Sequence, residues 1–229
     1  MPISPLILKQ FDLFKQLPEE AISLLGEQTK LAEAPRRKVV MEKNQRAHSL
    51  GLLLDGRLQG IDLTLDGREA GLYFVEPYDF FGELSVIDQL PAPEFVIALA
   101  PSRFLMVPTP VMHQLINTYP QVSTIINTRL ARRLRESLAQ RTLLTMPTPL
   151  QRVCAQLLQL SKQSSAGTSD IVFAPTHQEI AIMINTTRET VTRVFQKLQT
   201  DGVIVRQGNT LHILKIQYLS KAANGEPAE

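Results

Sequence analysis

From Pro120 to about Thr145 the chain runs without an internal glycine or proline. Such a stretch reads as one helix of about 25 residues, and it forces the rest of the chain to be organised around it. Val122, Ile126, Leu130, Leu134 and Leu138 recur at every fourth position, an apolar stripe that drifts around the axis instead of keeping a strict coiled-coil seam. A stripe this long exceeds what a small domain can cover, so the expected cover is the same helix in a second copy. Arg129, Arg132, Arg133, Arg135 and Arg141 accompany the stripe and read as its solvated flank. The prolines of Met146-Pro147-Thr148-Pro149 end the helix and mark a boundary, because the residue before a proline is pushed toward extended geometry.

Two different grammars lie on either side. Upstream, after short helices expected from Pro5 to Gln16 and from Pro18 to Gln28, come runs rich in Val, Leu and Ile: 49–54, 57–65, 68–75, 95–100 and 104–107. These read as strands. Asp55-Gly56 and Asp66-Gly67, 11 residues apart, are dipeptides that tight hairpins favour, and Pro91, Pro93, Pro101 and Pro108 mark strand limits. A compact β-roll is expected, followed by a short helix from Pro110 to Tyr119. Downstream, a helix from Leu150 to Lys162 precedes the Ser/Gly-rich linker 163–170. The fold class is therefore α+β: a roll over 1–119, a dimerisation helix over 120–146, a helical domain with a wing over 147–219, and a mobile tail over 220–229.

The segment 176–205 carries the most chemistry. Thr176 and Glu179 form a capping-box pattern at the head of a short helix whose Ile180, Ala181 and Ile184 face inward. Asn185, tolerant of left-handed backbone, stands where the chain must turn. The next helix starts at Thr186 or Thr187 and buries Val191, Val194, Phe195 and Leu198. Arg188, Glu189, Thr192 and Arg193 share its first exposed turns. Arginine can pair with guanine O6 and N7, and glutamate can accept from cytosine N4, so this face suits G·C pairs in a major groove. Glu189 could instead cap its own helix, and the arginines could be ordinary surface cations. Two short helices joined by about three residues favour DNA reading. Gln207-Gly208-Asn209 between two strand-like runs adds a wing near phosphates. Over 171–219, five cations stand against three anions.

Composition removes other classes. An apolar share of 44% is ordinary for a globular chain, and a net charge of +2 does not by itself imply nucleic acid. One cysteine, Cys154, cannot build a disulfide or an iron–sulfur centre from one chain; among Val153, Ala155, Leu157 and Leu158 it reads as a core thiol. No apolar run has the length of a signal peptide or a membrane span, so a cytoplasmic protein without a membrane partner is expected. His48, His113, His177 and His212 show no ligand spacing, and none is nominated as a metal ligand. The histidines pair with no Ser, Cys or acid pattern, and no glycine-rich phosphate loop is present, so an enzyme is not expected.

In the run from Thr186 to Ile204 and in FFGELSVID (80–88), and in the order of its elements, the chain resembles the cyclic-AMP receptor protein and fumarate–nitrate regulator (CRP/FNR) family. The resemblance implies a transcription regulator with a cyclic-nucleotide-binding-like jelly roll. It implies Arg188, Glu189 and Arg193 on base edges; Thr176, Gln178, Thr187 and Thr190 on phosphates; a palindrome with TGTGA-like half-sites; a homodimer; and contact with RNA polymerase. Nucleotide-binding members grip the ligand with a Gly-Glu pair, here Gly82 and Glu83, and an Arg-Ser or Arg-Thr pair, whose places here hold Pro93 and Glu94. Proline offers no cation, and a carboxylate there adds repulsion of order 1 kcal/mol toward a phosphodiester, which argues against cyclic AMP. Gly82 and Glu83 then read as a structural turn and a surface acid. The iron–sulfur form of the family is ruled out within one chain; a haem-responsive or cyclic-nucleotide-responsive form stays open, as does a ligand-sensing module that signals through protein contacts alone.

Overall fold

The computed structural model describes residues 2–63, 69–163, 170–172 and 174–227. The chain divides into two compact units, Met1–Leu134 and Arg135–Glu229. The division falls inside the long helix and not at the Pro147–Pro149 break, because the first turns of that helix share the core of the first unit.

The first unit opens with α1 (Pro5–Leu8) and α2 (Glu19–Gln28). The first helix is shorter than expected: beyond Leu8 the chain makes tight turns, with Phe11, Phe14 and Leu17 each donating a backbone bond three residues back. Phe11 and Leu13 would lie on opposite faces of a continuous helix, yet both are buried, so the turns win. The strands that follow are β1 (Lys30–Ala34), β2 (Val39–Met41), β3 (Ser49–Asp55), β4 (Leu58–Leu63), β5 (Glu69–Val75) and β6 (Phe80–Phe81); α3 (Glu83–Asp88), β7 (Phe95–Ala98) and β8 (Ser102–Pro108) complete the roll. They pair antiparallel in two four-stranded sheets, ordered β1-β8-β3-β6 and β2-β7-β4-β5.

This corrects the reading of Asp55-Gly56 as a hairpin, since β3 and β4 belong to different sheets. The dipeptide turns a corner instead. Gly56 has φ +91°, and a Cβ there would overlap Ser102, so glycine is required for the corner as it would be for a hairpin. Asp66-Gly67 lies outside the described residues. The unbroken apolar run of β3 has a simple cause: both faces of its sheet are covered. Leu53 and Phe104 point into the roll with Val75, Phe81 and Val96, while Leu50, Leu52, Leu105 and Val107 pack with Phe14 from the turns after α1 and with Ile22 and Met112 from helices.

Next come α4 (Thr109–Thr118) and α5 (Pro120–Leu144), the long helix expected over 120–145. Val122 and Ile126 join the helix-covered core, but Leu134 and Leu138, on the same stripe, are 62% and 56% exposed.

The second unit holds α6 (Pro149–Gln163), α7 (His177–Met183), α8 (Arg188–Thr200), a hairpin of β9 (Ile204–Gln207) and β10 (Thr210–Ile213), and α9 (Ile216–Asn224). Thr148 caps α6 by accepting from the Gln151 amide at 3.2 Å. The wing turn is two residues long, since Gln207 pairs directly with Thr210, and Gly208 supplies the positive φ, +57°. Ile171 adds a bridge to Leu211; linker residues 164–169 lie outside the described residues. The stretch 220–229, expected as a mobile tail, is corrected in its first half. Through Asn224 it belongs to α9, which packs on α6 and buries Leu219, Ala222 and Ala223. Two alanines gave it little apolar contrast, although the three- and four-residue spacing is that of a helix face.

Candidate nucleic-acid interface

The helix pair of the second unit is fixed by local chemistry. Thr176 accepts from the Glu179 amide at 3.3 Å, and the Glu179 carboxylate accepts from the Thr176 amide at 2.7 Å, so the predicted capping box is complete. Asn185 has φ +49° and takes the left-handed turn. The Thr186 amide donates to the Ala181 carbonyl at 2.9 Å, and Thr187 caps α8 by accepting from the Thr190 amide at 3.2 Å. Val191, Phe195 and Leu198 are buried under α8, with Ile180, Ala181 and Ile184 opposite them.

That burial leaves the other face of α8 outward. Arg188, Glu189 and Arg193 are exposed, and Thr192 is half-buried between them and the core. Arg193 donates to the Thr190 hydroxyl at 3.4 Å. Hydrogen bonds from its own amide and from the Thr187 hydroxyl hold the Glu189 carboxyl below the usual range, and Arg188 and Arg193 act in the same direction. Glu189 therefore does contribute to the head of its helix, the role weighed against base contact, while its side chain stays solvent-facing. Thr176, Gln178 and Thr187 are exposed and Thr190 is half-buried, all in the first turns of α7 and α8 or at their caps. His177 links the two helices: its Nδ1 lies 2.9 Å from the Thr192 hydroxyl, and its ring packs 4.5 Å from that of Phe195. In the wing, Arg206 donates to the carbonyls of Ala174 at 3.0 Å and Pro175 at 3.4 Å, so this cation ties β9 to the head of α7.

A helix pair followed by a hairpin wing, with a cationic polar face on the second helix, has its counterpart in known sequences. The Crp-like helix-turn-helix domain matches residues 151–222, and the Cyclic nucleotide-binding domain matches residues 31–119. The chain belongs to the CRP/FNR family of transcription regulators. It is a DNA-binding regulator of the CRP/FNR type. The Cyclic AMP receptor protein of Thermus thermophilus is 28% identical over 218 residues, 95% of this chain and 99% of that protein. The CRP-like cAMP-activated global transcriptional regulator of Mycobacterium tuberculosis is 27% identical over 220 residues, 95% of this chain and 98% of that one. Among solved structures, a CooA variant from Carboxydothermus hydrogenoformans superposes with a TM-score of 0.76 at 19% identity, covering 93% of this chain and 95% of that one. That likeness is one of fold.

The Cyclic nucleotide-binding domain match spans Gly82 and Glu83 in the roll, which read in the sequence as a turn and a surface acid. Gly82, at φ +83°, is the left-handed N-cap of α3, as expected. Glu83 is a correction: it is only 1% exposed and pairs with Arg133 of α5. The adjacent Pro93 is exposed, but Glu94 is 4% exposed; it accepts from the Tyr73 hydroxyl at 2.8 Å and from Arg133 at 3.4 Å. The Arg133 guanidinium lies 3.6 Å from the Tyr73 ring centre. Burial opposes its charge, yet Tyr73, Glu83 and Glu94 around it outweigh that and raise its pKa. Burial drives the Tyr73 hydroxyl well above its ordinary value. One turn earlier Arg129, 7% exposed, pairs with Asp79. Arg129 and Arg133 were expected as solvated flank and are not: they continue the buried face of Val122 and Ile126, and that spacing was the available signal.

The remaining candidates are structural. Cys154 is buried in the second unit, and burial pushes its thiol up to about 12. His113 Nε2 lies 2.5 Å from the Val86 carbonyl, and His212 Nδ1 lies 3.0 Å from Asp170. No helix among the described residues is long and apolar enough to cross a membrane.

Proposed function

We propose that the protein acts in the cytoplasm as a homodimer on a palindromic DNA site with TGTGA-like half-sites, and that cyclic AMP does not control it. The observation that carries the DNA reading is the exposed set Arg188, Glu189 and Arg193 on the first two turns of α8. Inserted in a major groove, the two arginines would pair with guanine edges and Glu189 with a cytosine amine, while Thr176, Gln178, Thr187 and Thr190 would meet the flanking phosphates. The dimer reading is supported by Leu134 and Leu138, two large apolar side chains exposed four residues apart on α5; a second α5 is the cover of matching length and pattern. A two-fold axis then sets the half-sites about 34 Å apart on one face of the duplex. Contact with RNA polymerase belongs to the same reading.

Two of the relatives named above respond to cyclic AMP by name. In this roll the residues do not fit a phosphodiester. Pro93 supplies no cation, the Glu94 carboxylate stands beside it, and the nearby guanidinium of Arg133 is already shared by two acids.

Electrophoretic mobility shifts on a TGTGA palindrome test the reading. The Arg188→Ala, Glu189→Ala double variant is expected to lose roughly 2–6 kcal/mol of specific binding, from about 1–3 kcal/mol per base-reading contact. Equal binding by wild type and double variant would sink the assignment. Calorimetric titration with cyclic AMP tests the second half, and binding in the micromolar range would overturn it.

A further inference from the structure

The roll holds a charge cluster that DNA binding does not use. Four segments far apart in sequence meet there: Tyr73 from β5, Glu83 at the head of α3, Glu94 just before β7, and Arg133 from α5. Two carboxylates buried to this degree are costly unless a cation satisfies them. Arg133 is that cation, with one edge on Glu83, another amino group toward Glu94, and its face on the Tyr73 ring. Two acids against one base leave the site net negative. Glu83 Oε2 is buried and has no hydrogen-bond partner among the described residues, so what remains open accepts a donor and repels an anion. A second clasp lies one turn earlier on the same face of α5, where Arg129 pairs with Asp79 and its guanidinium lies 5.4 Å from the Phe80 ring centre. Immediately beyond Arg133 come the exposed Leu134 and then Leu138.

We propose that Glu83 and Glu94 are a built-in counter-anion for α5. They hold Arg133 from inside the protein, so that the roll seats this helix and presents Leu134 and Leu138 to a second copy without any small-molecule anion. The inference rests on the dimeric DNA-binding reading above and adds its regulation: the DNA-binding form is the resting form, and Arg133 is a positioning residue for it. An added phosphodiester would have to displace a buried carboxylate from Arg133.

The experiment uses the full chain, dialysed free of nucleotides. Wild type is expected to shift palindromic DNA with nothing added, and cyclic AMP, cyclic GMP or inorganic phosphate is expected to leave its affinity unchanged. The triple variant Glu83→Gln, Glu94→Gln, Arg133→Met removes all three charges at similar volume, so no buried charge is left unpaired. It is expected to bind the same DNA more weakly, on the order of 5- to 150-fold, the usual range for coupling between sites, and to exchange its α5 amides faster over 122–133. If the triple variant does not fold, Glu94→Gln alone is measured, with the same directions expected. The proposal is overturned if wild type needs an added nucleotide to bind, or if the charge-free variant matches wild type in both affinity and α5 exchange. Amide exchange reads the clasp without DNA. Absence of any DNA binding by wild type, with α5 exchange faster in the variant, would therefore sink the DNA reading and leave the clasp standing; equal exchange would sink the clasp.

Discussion

Arg133 in the first unit and Arg188 in the second are both helix-borne arginines within two turns of an acidic side chain, yet they live in opposite electrostatic surroundings. Arg133 is enclosed, stacked on Tyr73 and shared by Glu83 and Glu94. Arg188 is exposed, and among the described residues no carboxylate lies within ion-pair distance of it. The first arrangement spends its charge on the fold. The second keeps its charge, and its hydrogen-bond donors, for something outside the chain. An arginine count along the sequence cannot separate these cases; the acids that a distant part of the chain brings to the guanidinium do.

The comparison is broken most directly by removing each guanidinium in turn. Arg133→Ala leaves two carboxylates buried with no cation between them, and breaking such a pair from one side costs about 3–5 kcal/mol. Arg188→Ala removes a solvent-facing group, and its effect on stability is expected to stay within about 0.5 kcal/mol. Urea denaturation followed by tyrosine fluorescence suits the measurement, because the chain has no tryptophan and three of its four tyrosines, Tyr73, Tyr78 and Tyr119, lie in the first unit. Comparable losses in the two variants would mean that Arg188 is also part of the fold.

A smaller effect separates local from long-range construction. Thr176→Ala removes the hydroxyl that caps α7 and is expected to cost about 1 kcal/mol, the usual worth of an N-cap. The loss should appear in thermal unfolding of the second unit while that of the first is unchanged. This locality is why the second unit was legible in the sequence. Its caps, its left-handed Asn185 and the stripe Val191, Val194, Phe195, Leu198 each act over three to seven residues, and each stands where its spacing put it except Val194, which is half-buried at the edge of the stripe. The roll was legible only as a class. Glu83 pairs with Arg133 across 50 positions and Glu94 across 39, and no local rule announces such a meeting; charge alone misplaced Glu83 and Arg133 at the surface, and Glu94 was read only against a phosphodiester. The Asp55-Gly56 corner failed for a related reason. A turn dipeptide fixes the sign of φ, but which strands then pair is decided by burial on both faces of β3, which is not local either.

The smallest expected effect is the one that reads the field around Arg188 directly. His177 sits beside the uncompensated cations of the second unit, and its pKa is lowered from 6.5, first by burial and then by repulsion from Arg206 and Arg188. The unfolded chain therefore binds the proton more readily than the folded one. The resulting stability is fully present above about 6.5 and is lost as pH falls through the depressed folded value. His177→Gln keeps a donor toward Thr192 and cannot titrate, so its thermal midpoint should fall less than that of wild type between neutral and mildly acid pH. In Arg188→Ala the His177 titration, followed by its imidazole proton resonances, should move back up toward 6.5, because one of the two repelling charges is gone. A titration that stays in place would show that Arg188 exerts no field at the base of its own helix, and the contrast between an arginine neutralised inside the fold and one held open for DNA would lose its electrostatic basis.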